Sequence, residues 1–395
     1  MKLMGVILRK KQDPKDKSML YTRPIPKSEF SGTAPNLLIG TYGYPFVNVG
    51  ALIDEDKETQ LDNPKLLAQK NTDINNILKQ RQSLINSQLK MSVKTVGDSK
   101  FSLQTQDIAK SSKPVDSEVE LTKPLTSSMK FYEQAMPHGP SAELKRIDLT
   151  SNPLIPKKIE SITSDTDVLA NTAMSELQKK GYDEYYLTKL LSAGTLGKQR
   201  KIVPTKWAIT AVDDIYGNKL REEILDNKES NLTIYKGDYL GNYYMIIIQP
   251  GEWSFELLEI ALPESEYNDL TVPTIGMDYE FSNGRKKYAE NTSGGYYAAR
   301  LPVLEFFKKN KLQGRVSVFR FITKEYTVPL GVWVVREGVR NSLKNPLENE
   351  YLSLKDVKYI LIKELSNYNI KDYDEFLNAS VLLKTRQTNL SSFFG

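Results

Sequence analysis

The sequence contains no cysteine among its 395 residues and a single histidine, His138. The absence of cysteine excludes disulfides, thiolate nucleophiles, iron–sulfur clusters and every zinc site that uses cysteine ligands. One histidine also excludes a metal site built from two or three histidines of one chain. His138 lies in a turn between prolines, where a lone histidine is most often exposed, and we assign it no catalytic role.

Long apolar runs are also missing. The N-terminal apolar run is too short for a signal peptide, and the longest later run, residues 243–248, has the length of a strand rather than a membrane span. We therefore expect a cytoplasmic protein with no membrane partner. The 54 lysines and arginines exceed the 49 acidic residues enough for a formal net charge of +5. This excess is too small to indicate nucleic-acid binding unless the cations cluster.

The organisation of the chain follows from shifts in composition. Predicted strands mostly neighbour one another rather than alternating with helices, which favours an α+β fold with a mostly antiparallel sheet and surrounding helices. We expect one large mixed body made of four parts. Residues 1–53 form a strand–turn segment of the core, 54–123 a polar, partly helical insertion, 124–380 the main α+β core and 381–395 a flexible tail.

Hydrophobic periodicity predicts several elements. Apolar residues recur at helical spacing near 72–92 and predict one helix there: Ile74, Ile77, Leu78, Ile85 and Leu89. Two runs joined by a glycine-containing segment predict a hairpin over 232–248. Further strands are predicted over 253–260, 315–322 and 332–335, and helices over 183–192, 296–309 and 354–365.

The C-terminal residues carry a spaced apolar pattern. Gln387, Leu390, Phe393 and Phe394 form Gln-x-x-Leu-x-x-Phe-Phe just before the end of the sequence. Two aromatic residues there are unusual for an internal core, so we predict an anchor for another protein. The pattern resembles the PCNA-interacting peptide (PIP) motif. This resemblance implies that the glutamine enters a polar pocket and the three apolar side chains fill a hydrophobic pocket on the sliding clamp PCNA. The alternative is a last turn packed on the protein's own surface.

The densest basic segment is 191–214. Four cations lie within nine residues: Lys198, Arg200, Lys201 and Lys206. Trp207 follows directly, and cations beside a stacking ring suit phosphates and bases. The alternative is a solvated basic loop with Trp207 in the core.

A second group of candidates surrounds the glycine-opened helix predicted near 294–300. Backbone amides at a helix N-terminus bind anions, and Arg300, Arg336 and Arg340 would complete a phosphate pocket. The alternative is a helix start whose small residues pack closely on a sheet.

Acidic residues allow an enzymatic hypothesis. Carboxylates of Asp213, Asp214 and Glu256, if they converge, would hold Mg²⁺ for phosphodiester hydrolysis. No spacing in the sequence requires a metal, so we assign no metal ligands and expect no cofactor outside this hypothesis.

Several of these segments together resemble the archaeal Nre family of DNA repair proteins. The matching segments cover most of the chain outside 54–123: residues 39–50, 191–214, 241–256, 294–300 and 329–340. Many family members carry an N-terminal four-cysteine zinc module, which this sequence cannot form. The resemblance implies DNA repair at the nucleoid of an archaeal cytoplasm and clamp binding, but no reaction.

The sequence therefore predicts a DNA damage repair protein that binds PCNA through its PIP motif and contacts DNA through basic loops. Two alternatives stay open. One is a nuclease or nucleotide-processing enzyme with an acidic site near Asp213 and Asp214. The other is a non-catalytic adaptor that binds only clamp and DNA.

Overall fold

A computed structural model describes residues 27–56, 62–125, 128–347, 353–368 and 377–383. These residues divide into two compact units. The barrel unit comprises the described residues up to Tyr216 together with 328–333, and the sheet unit comprises 217–327 and the described residues from Val334 onward.

The barrel unit is built on a closed five-stranded barrel. Its strands are β1 (Glu29–Ile39), β2 (Phe46–Asp54), β3 (Leu84–Ser92), β4 (Val115–Leu121) and β5 (Ser141–Leu149). They close in the order β1-β2-β3-β5-β4, and all pairs are antiparallel except β3 with β5. This order, with a helix between β3 and β4, is that of the oligonucleotide/oligosaccharide-binding (OB) fold.

Helices connect and cover the barrel strands. They are α1 (Pro64–Gln69), α2 (Ile74–Arg81), α3 (Lys100–Lys110), α4 (Lys157–Ser164), α5 (Ala170–Lys179), α6 (Glu184–Ser192) and the first part of α7 (Thr205–Ile224). The helix predicted over 183–192 is confirmed as α6. The Asp183 side chain caps its N-terminus by accepting from the backbone N–H of Tyr186.

The single helix predicted over 72–92 is wrong. The helix ends at Arg81, and the second half of this segment is strand β3. Ile85 and Met91 lie in the barrel core, and Leu89 packs against it. A spacing of four residues fits one face of a strand as well as one face of a helix, so the periodicity did not distinguish the two.

The polar stretch 54–123 is not an insertion, contrary to expectation. It supplies β3 and β4, which pair with β2, β5 and β1 and so close the barrel. Along β4 the buried Val115, Val119 and Leu121 alternate with outward-facing acidic residues. This alternation makes the composition polar although every second residue is buried.

The sheet unit contains a five-stranded sheet in the order β10-β9-β12-β8-β7. Its strands are β7 (Thr233–Tyr239), β8 (Asn242–Gln249), β9 (Ser254–Ala261), β10 (Thr274–Glu280) and β12 (Arg315–Ile322), while β6 (Lys228–Glu229) and β11 (Leu312–Gln313) form a separate short pair. Only β9 and β12 run parallel within the larger sheet. The helices are α8 (Gly294–Asn310), α9 (Trp333–Ser342), whose first residue belongs to the barrel unit, and α10 (Leu354–Asn367).

Most predicted elements of this unit are confirmed, and one is wrong. The predicted hairpin is β7–β8, and Gly241 turns it with a φ of +72° close to the backbone of Tyr326. The strand predicted over 332–335 is helix α9 instead. Val334, Val335 and Val339 are all buried there, so a helix enclosed on several sides presents the same apolar run as a buried strand.

The α+β class with mostly antiparallel sheets is confirmed, and the strands are shared between the two units. Within the described ranges, no helix has the length and hydropathy that crossing a membrane requires. The PIP residues Gln387, Leu390, Phe393 and Phe394 lie outside the described residues.

Candidate functional site

Three segments of the barrel unit meet at one end of the barrel. The backbone N–H of Val93 donates to the carbonyl of Pro45, and the N–H of Ile202 donates to the carbonyl of Val93, both at 2.9 Å. The hydroxyl of Thr205, at the start of α7, accepts from the N–H of Ile39 at 2.9 Å. These bonds join residues 40–50, 88–97 and 194–212, which we call the rim.

The rim carries charge of one sign. Its three segments contain six lysines and arginines and no aspartate or glutamate: Lys90, Lys94, Lys198, Arg200, Lys201 and Lys206. All of the five lysines are exposed. Five hydrated cations without a carboxylate in the same segments create a positive potential that attracts anions.

Aromatic side chains stand exposed among these cations. Tyr42 is 92% exposed and Trp207 is 43% exposed, while Tyr44 and Phe46 also face solvent. The ring centroids of Tyr44 and Trp207 lie 5.2 Å apart with a tilt of 58° between the planes. A cluster of large exposed rings marks a binding surface rather than a core.

The turn between β1 and β2 holds these rings in defined positions. The carbonyl of Gly43 accepts from the N–H of Phe46 at 2.9 Å. Gly43 has a φ of +81°, and a Cβ there would lie 2.8 Å from the carbonyl oxygen of Phe46. Only glycine fits this turn without strain, so its geometry is fixed by the sequence.

Among the predicted cations, Arg200 differs from the three lysines. Its Nη2 donates to the backbone carbonyls of Thr163 and Asp165. Arg200 thus fastens the loop after α4, whereas Lys198, Lys201 and Lys206 project into solvent. Trp207 also lies on the surface, contrary to the alternative that places it in the core.

Part of this surface was not predicted from the sequence, namely Lys90, Lys94 and the rings of Tyr42, Tyr44 and Phe46. The signal was present, because the turn in 40–50 contains three aromatic residues and a glycine that requires positive φ. What the sequence could not show was that this turn, the end of β3 and the start of α7 meet.

Two of the three arginines of the predicted phosphate pocket, Arg300 and Arg340, are paired with carboxylates within the sheet unit. Arg300 is buried and its Nε donates to Glu280 Oε1 at 2.7 Å. Arg340 donates to both carboxylate oxygens of Glu305, at 2.9 and 2.8 Å, and to Glu337 Oε1 at 2.7 Å. These two guanidinium groups are therefore charge-compensated within the protein.

The start of α8 also differs from the predicted anion site. A Cβ on Gly295 would lie 2.7 Å from Glu259 Oε1. A buried carboxylate, paired with Arg320, therefore packs against the first turn. The alternative of a small-residue helix start packed closely on the sheet describes this region, and Arg336 is buried as well.

Glu256 is a buried carboxylate that accepts four hydrogen bonds. Oε1 accepts from the hydroxyls of Ser317 and Ser380, and Oε2 accepts from the backbone N–H groups of Val381 at 2.7 Å and Leu382 at 3.2 Å. Burial raises the pKa of Glu256, while these donors act in the opposite direction. Its contacts are structural, because they attach the segment 380–382 to the sheet.

The other acidic candidates lie on α7 in the barrel unit. Asp213 is buried and Asp214 is half-buried. In the part of the chain that the structure describes, no group of three or more histidine, aspartate or glutamate side chains is arranged to hold a metal ion. The enzymatic alternative at Asp213 and Asp214 stays a prediction.

His138 is buried, not exposed as its turn-like motif indicated. Its Nδ1 donates to the carbonyl of Gly139 at 2.8 Å, so Nε2 accepts from the hydroxyl of Tyr132 at 3.0 Å. Burial, and secondarily the charge of Arg81, lowers the pKa of His138 to about 3. The residue is a neutral part of the barrel unit's interior.

Comparison with known proteins agrees with the resemblance. Family models described as archaeal Nre, N-terminal, and archaeal Nre, C-terminal, match residues 12–268 and 280–393. The chain belongs to the Nre family. The N-terminal model ends after β9 and the C-terminal model begins at Glu280, the last residue of β10, so the boundary falls within the sheet of this Nre chain and not between the two units.

Three relatives share sequence over most of their length. The chain is 36% identical to DNA repair protein NreA of Archaeoglobus fulgidus, over 91% of this chain and 89% of that protein. It is 34% identical to DNA repair protein NreA of Haloferax volcanii, over 81% and 79%. It is 32% identical to DNA repair protein NreB of Archaeoglobus fulgidus, over 91% and 90%. No match to this Nre chain was found among solved structures.

Proposed function

We propose that this Nre protein acts in DNA repair by binding DNA at the rim and the sliding clamp PCNA through residues 387–394. Its relatives bear the name DNA repair protein. The rim supplies a surface suited to nucleic acid, and the C-terminal motif supplies a peptide suited to the clamp.

One observation carries the DNA-binding part of the proposal. The exposed rings of Tyr44 and Trp207 contact each other at the end of the barrel, and Lys206 is exposed directly beside Trp207. Lysines that neutralise phosphates release condensed counterions, which favours binding. Exposed rings offer faces on which bases stack.

The DNA-binding part is tested by removing three exposed cations together. In Lys198→Ala/Lys201→Ala/Lys206→Ala, we expect the slope of log K against log salt to fall by roughly 0.7–0.9 for each phosphate that the variant no longer neutralises. The measurement is fluorescence anisotropy of a labelled oligonucleotide at several salt concentrations.

The matched control removes the same charge from the sheet unit. Lys286→Ala/Lys287→Ala/Lys309→Ala replaces three exposed lysines there, and we expect the salt slope to stay at its original value. An equal fall in both triple variants would show that net charge, and not the rim, attracts DNA. An unchanged slope in the rim variant would contradict the proposal.

The clamp-binding part is tested at the C-terminal motif. Phe393→Ala/Phe394→Ala removes two apolar side chains, each of which contributes roughly 1.5–3 kcal/mol when buried. Because ordering the peptide offsets part of this gain, we expect micromolar binding, about −8 kcal/mol, that becomes unmeasurable in the variant. Isothermal titration calorimetry with PCNA measures it.

Two comparisons complete the clamp experiment. Ser391→Ala/Ser392→Ala changes residues of the motif that its pattern leaves unspecified, and it should keep the affinity. A chain ending at Arg386 should lose it. Undiminished binding by the truncated chain would contradict the proposal, and a large fall in its melting temperature would favour packing of the motif on the protein's own surface.

A further inference from the structure

We infer that the rim binds single-stranded DNA, with unpaired bases stacked on the rings of Tyr42, Tyr44 and Trp207. This inference rests on the proposed DNA-binding function and specifies the form of DNA that the same surface takes. In a duplex the faces of the bases are covered by their neighbours, so exposed rings gain stacking only from an unpaired strand.

The neighbouring strand surface extends the site beyond the rings. Val47 and Val49 of β2 fill the barrel core, so the alternate residues Phe46 and Asn48 face outward. Lys90 of β3 is paired with Asn48 and is exposed. In OB barrels this face of the second and third strands, with the turn between the first two, binds oligonucleotides.

Lys90 links this face to the turn. Its Cε lies 4.0 Å from the position that a Cβ would take on Gly43. The ammonium group therefore lies close to the exposed rings, where the backbone of a stacked strand would place its phosphates. Rings for bases beside lysines for phosphates form the combination that single-strand-binding proteins use.

The same barrel face is closed further along, which limits the length of the site. Leu38 of β1 and Leu52 of β2 are buried together with Ala135, and Tyr132 and Ile209 pack against them. The outer face of β1 and β2 is therefore open at the turn and closed towards the other end. We expect a short site of about four nucleotides, the lower end of the range for OB folds.

Trp207 reports directly on occupation of this site. The protein has three tryptophans, and the other two, Trp253 and Trp333, are buried. Titration of the full chain with a ten-nucleotide oligothymidylate should quench the exposed tryptophan, because the base stacks on it. Trp207→Phe should abolish the quenching while anisotropy of a labelled oligothymidylate still shows binding.

The form of DNA is tested with the same strand as a duplex. Ten base pairs of oligothymidylate with oligodeoxyadenylate should bind at least tenfold more weakly than the single strand at equal salt. Equal or tighter binding of the duplex, abolished in the triple lysine variant, would overturn this inference and leave the proposed DNA-binding function standing. Failure of both forms to bind would overturn both.

The rings are tested by replacing two of the exposed aromatic side chains of the rim. Tyr42 is 92% exposed, so Tyr42→Ala tests stacking without loss of packing, and Trp207→Ala tests the second ring. Loss of one stacked base weakens binding about five- to 150-fold. Tyr359→Ala, a 69% exposed tyrosine on α10, is the matched control and should keep full affinity. Full affinity in the two rim variants would overturn the stacking.

Discussion

The rim and the interior of the sheet unit use their cations in opposite ways. The rim exposes lysines beside aromatic rings, whereas the interior of the sheet unit holds arginines paired with buried carboxylates. Arg300 with Glu280, and Arg320 with Glu259, are nearly inaccessible to solvent. Lysine is a strongly hydrated point charge, while the planar guanidinium matches a carboxylate through several fixed donors. The type of basic residue therefore distinguishes a binding surface from buried ion pairs that stabilise the fold. The total charge of a unit does not make this distinction.

The sheet unit should lose the most stability when one internal pair is broken. Arg320 donates to Glu259 Oε1 through Nη1 at 2.6 Å and to Asn242 Oδ1 through Nε at 2.9 Å. Arg320→Ala leaves a buried carboxylate without this partner, and we expect a loss of about 3–5 kcal/mol in the free energy of unfolding. Urea denaturation measures this difference.

The control for this variant removes both charges. In Arg320→Met/Glu259→Leu, apolar side chains replace the pair, and such replacements often restore stability. We expect the double variant to unfold at a higher urea concentration than Arg320→Ala. A loss below about 1 kcal/mol in Arg320→Ala would show that water reaches the Glu259 carboxylate and replaces its lost partner. The pair would then differ from the rim cations in its geometry but not in its contribution to stability.

The stability of the barrel unit should depend on pH through one buried side chain. The pKa of His138 is lowered to about 3 in the folded protein, and it is roughly 6.5 in the unfolded chain. Between these values only the unfolded chain binds the proton. The free energy of unfolding is therefore highest above pH 6.5 and decreases as the pH falls, by about 2 kcal/mol between pH 7.5 and pH 5.

The histidine effect is measured by urea denaturation at several pH values. His138→Gln should be less stable at neutral pH, yet its stability should change little between pH 7.5 and pH 5, because the chain has no other histidine. An equally steep profile in the variant would assign the pH dependence to carboxylates. Nitrogen chemical shifts of the imidazole should meanwhile remain those of the neutral ring at pH 5.

The smallest effect on stability is expected at the rim. Lys198→Ala/Lys201→Ala/Lys206→Ala replaces exposed side chains, and each such change usually alters the free energy of unfolding by less than about 0.5 kcal/mol. The melting temperature should stay within the range of the sheet-unit control triple. A marked fall in the melting temperature would mean that these lysines stabilise the fold, as the buried arginines of the sheet unit do.

The sequence predicted elements best where pattern and length agreed. The strand over 315–322 and the hairpin before it were found because turn residues bounded clear apolar runs. Predictions failed where a pattern fits both a helix and a strand. Ile85 and Leu89 have a spacing that fits either, and the apolar run 332–335 lies in helix α9 from its second residue onward. Strand β4 was not predicted, because its outward-facing acidic residues make its composition polar.

For the site, the sequence identified one of the three segments that form the rim. Lys206 and Trp207 are neighbours in the chain, so their combination was visible. Tyr44 contacts Trp207 across more than 160 residues of sequence, and no local pattern contains that pairing. In the same way, the sequence showed that Arg300 is a cation but not that it pairs with the carboxylate of Glu280.

The bonds of Glu256 limit how far a clamp partner could stand from the sheet. Val381 and Leu382 are tied to that carboxylate, and Arg315 Nη2 donates to the carbonyl of Leu382 at 2.8 Å. From Leu383 to Gln387 the chain advances four residues, which reach at most about 14 Å when fully extended. A ring-shaped partner bound to Gln387 would therefore hold the sheet unit at a distance only slightly larger than the diameter of one helix. Such a short connection would keep the protein beside the proposed clamp partner as that partner moves.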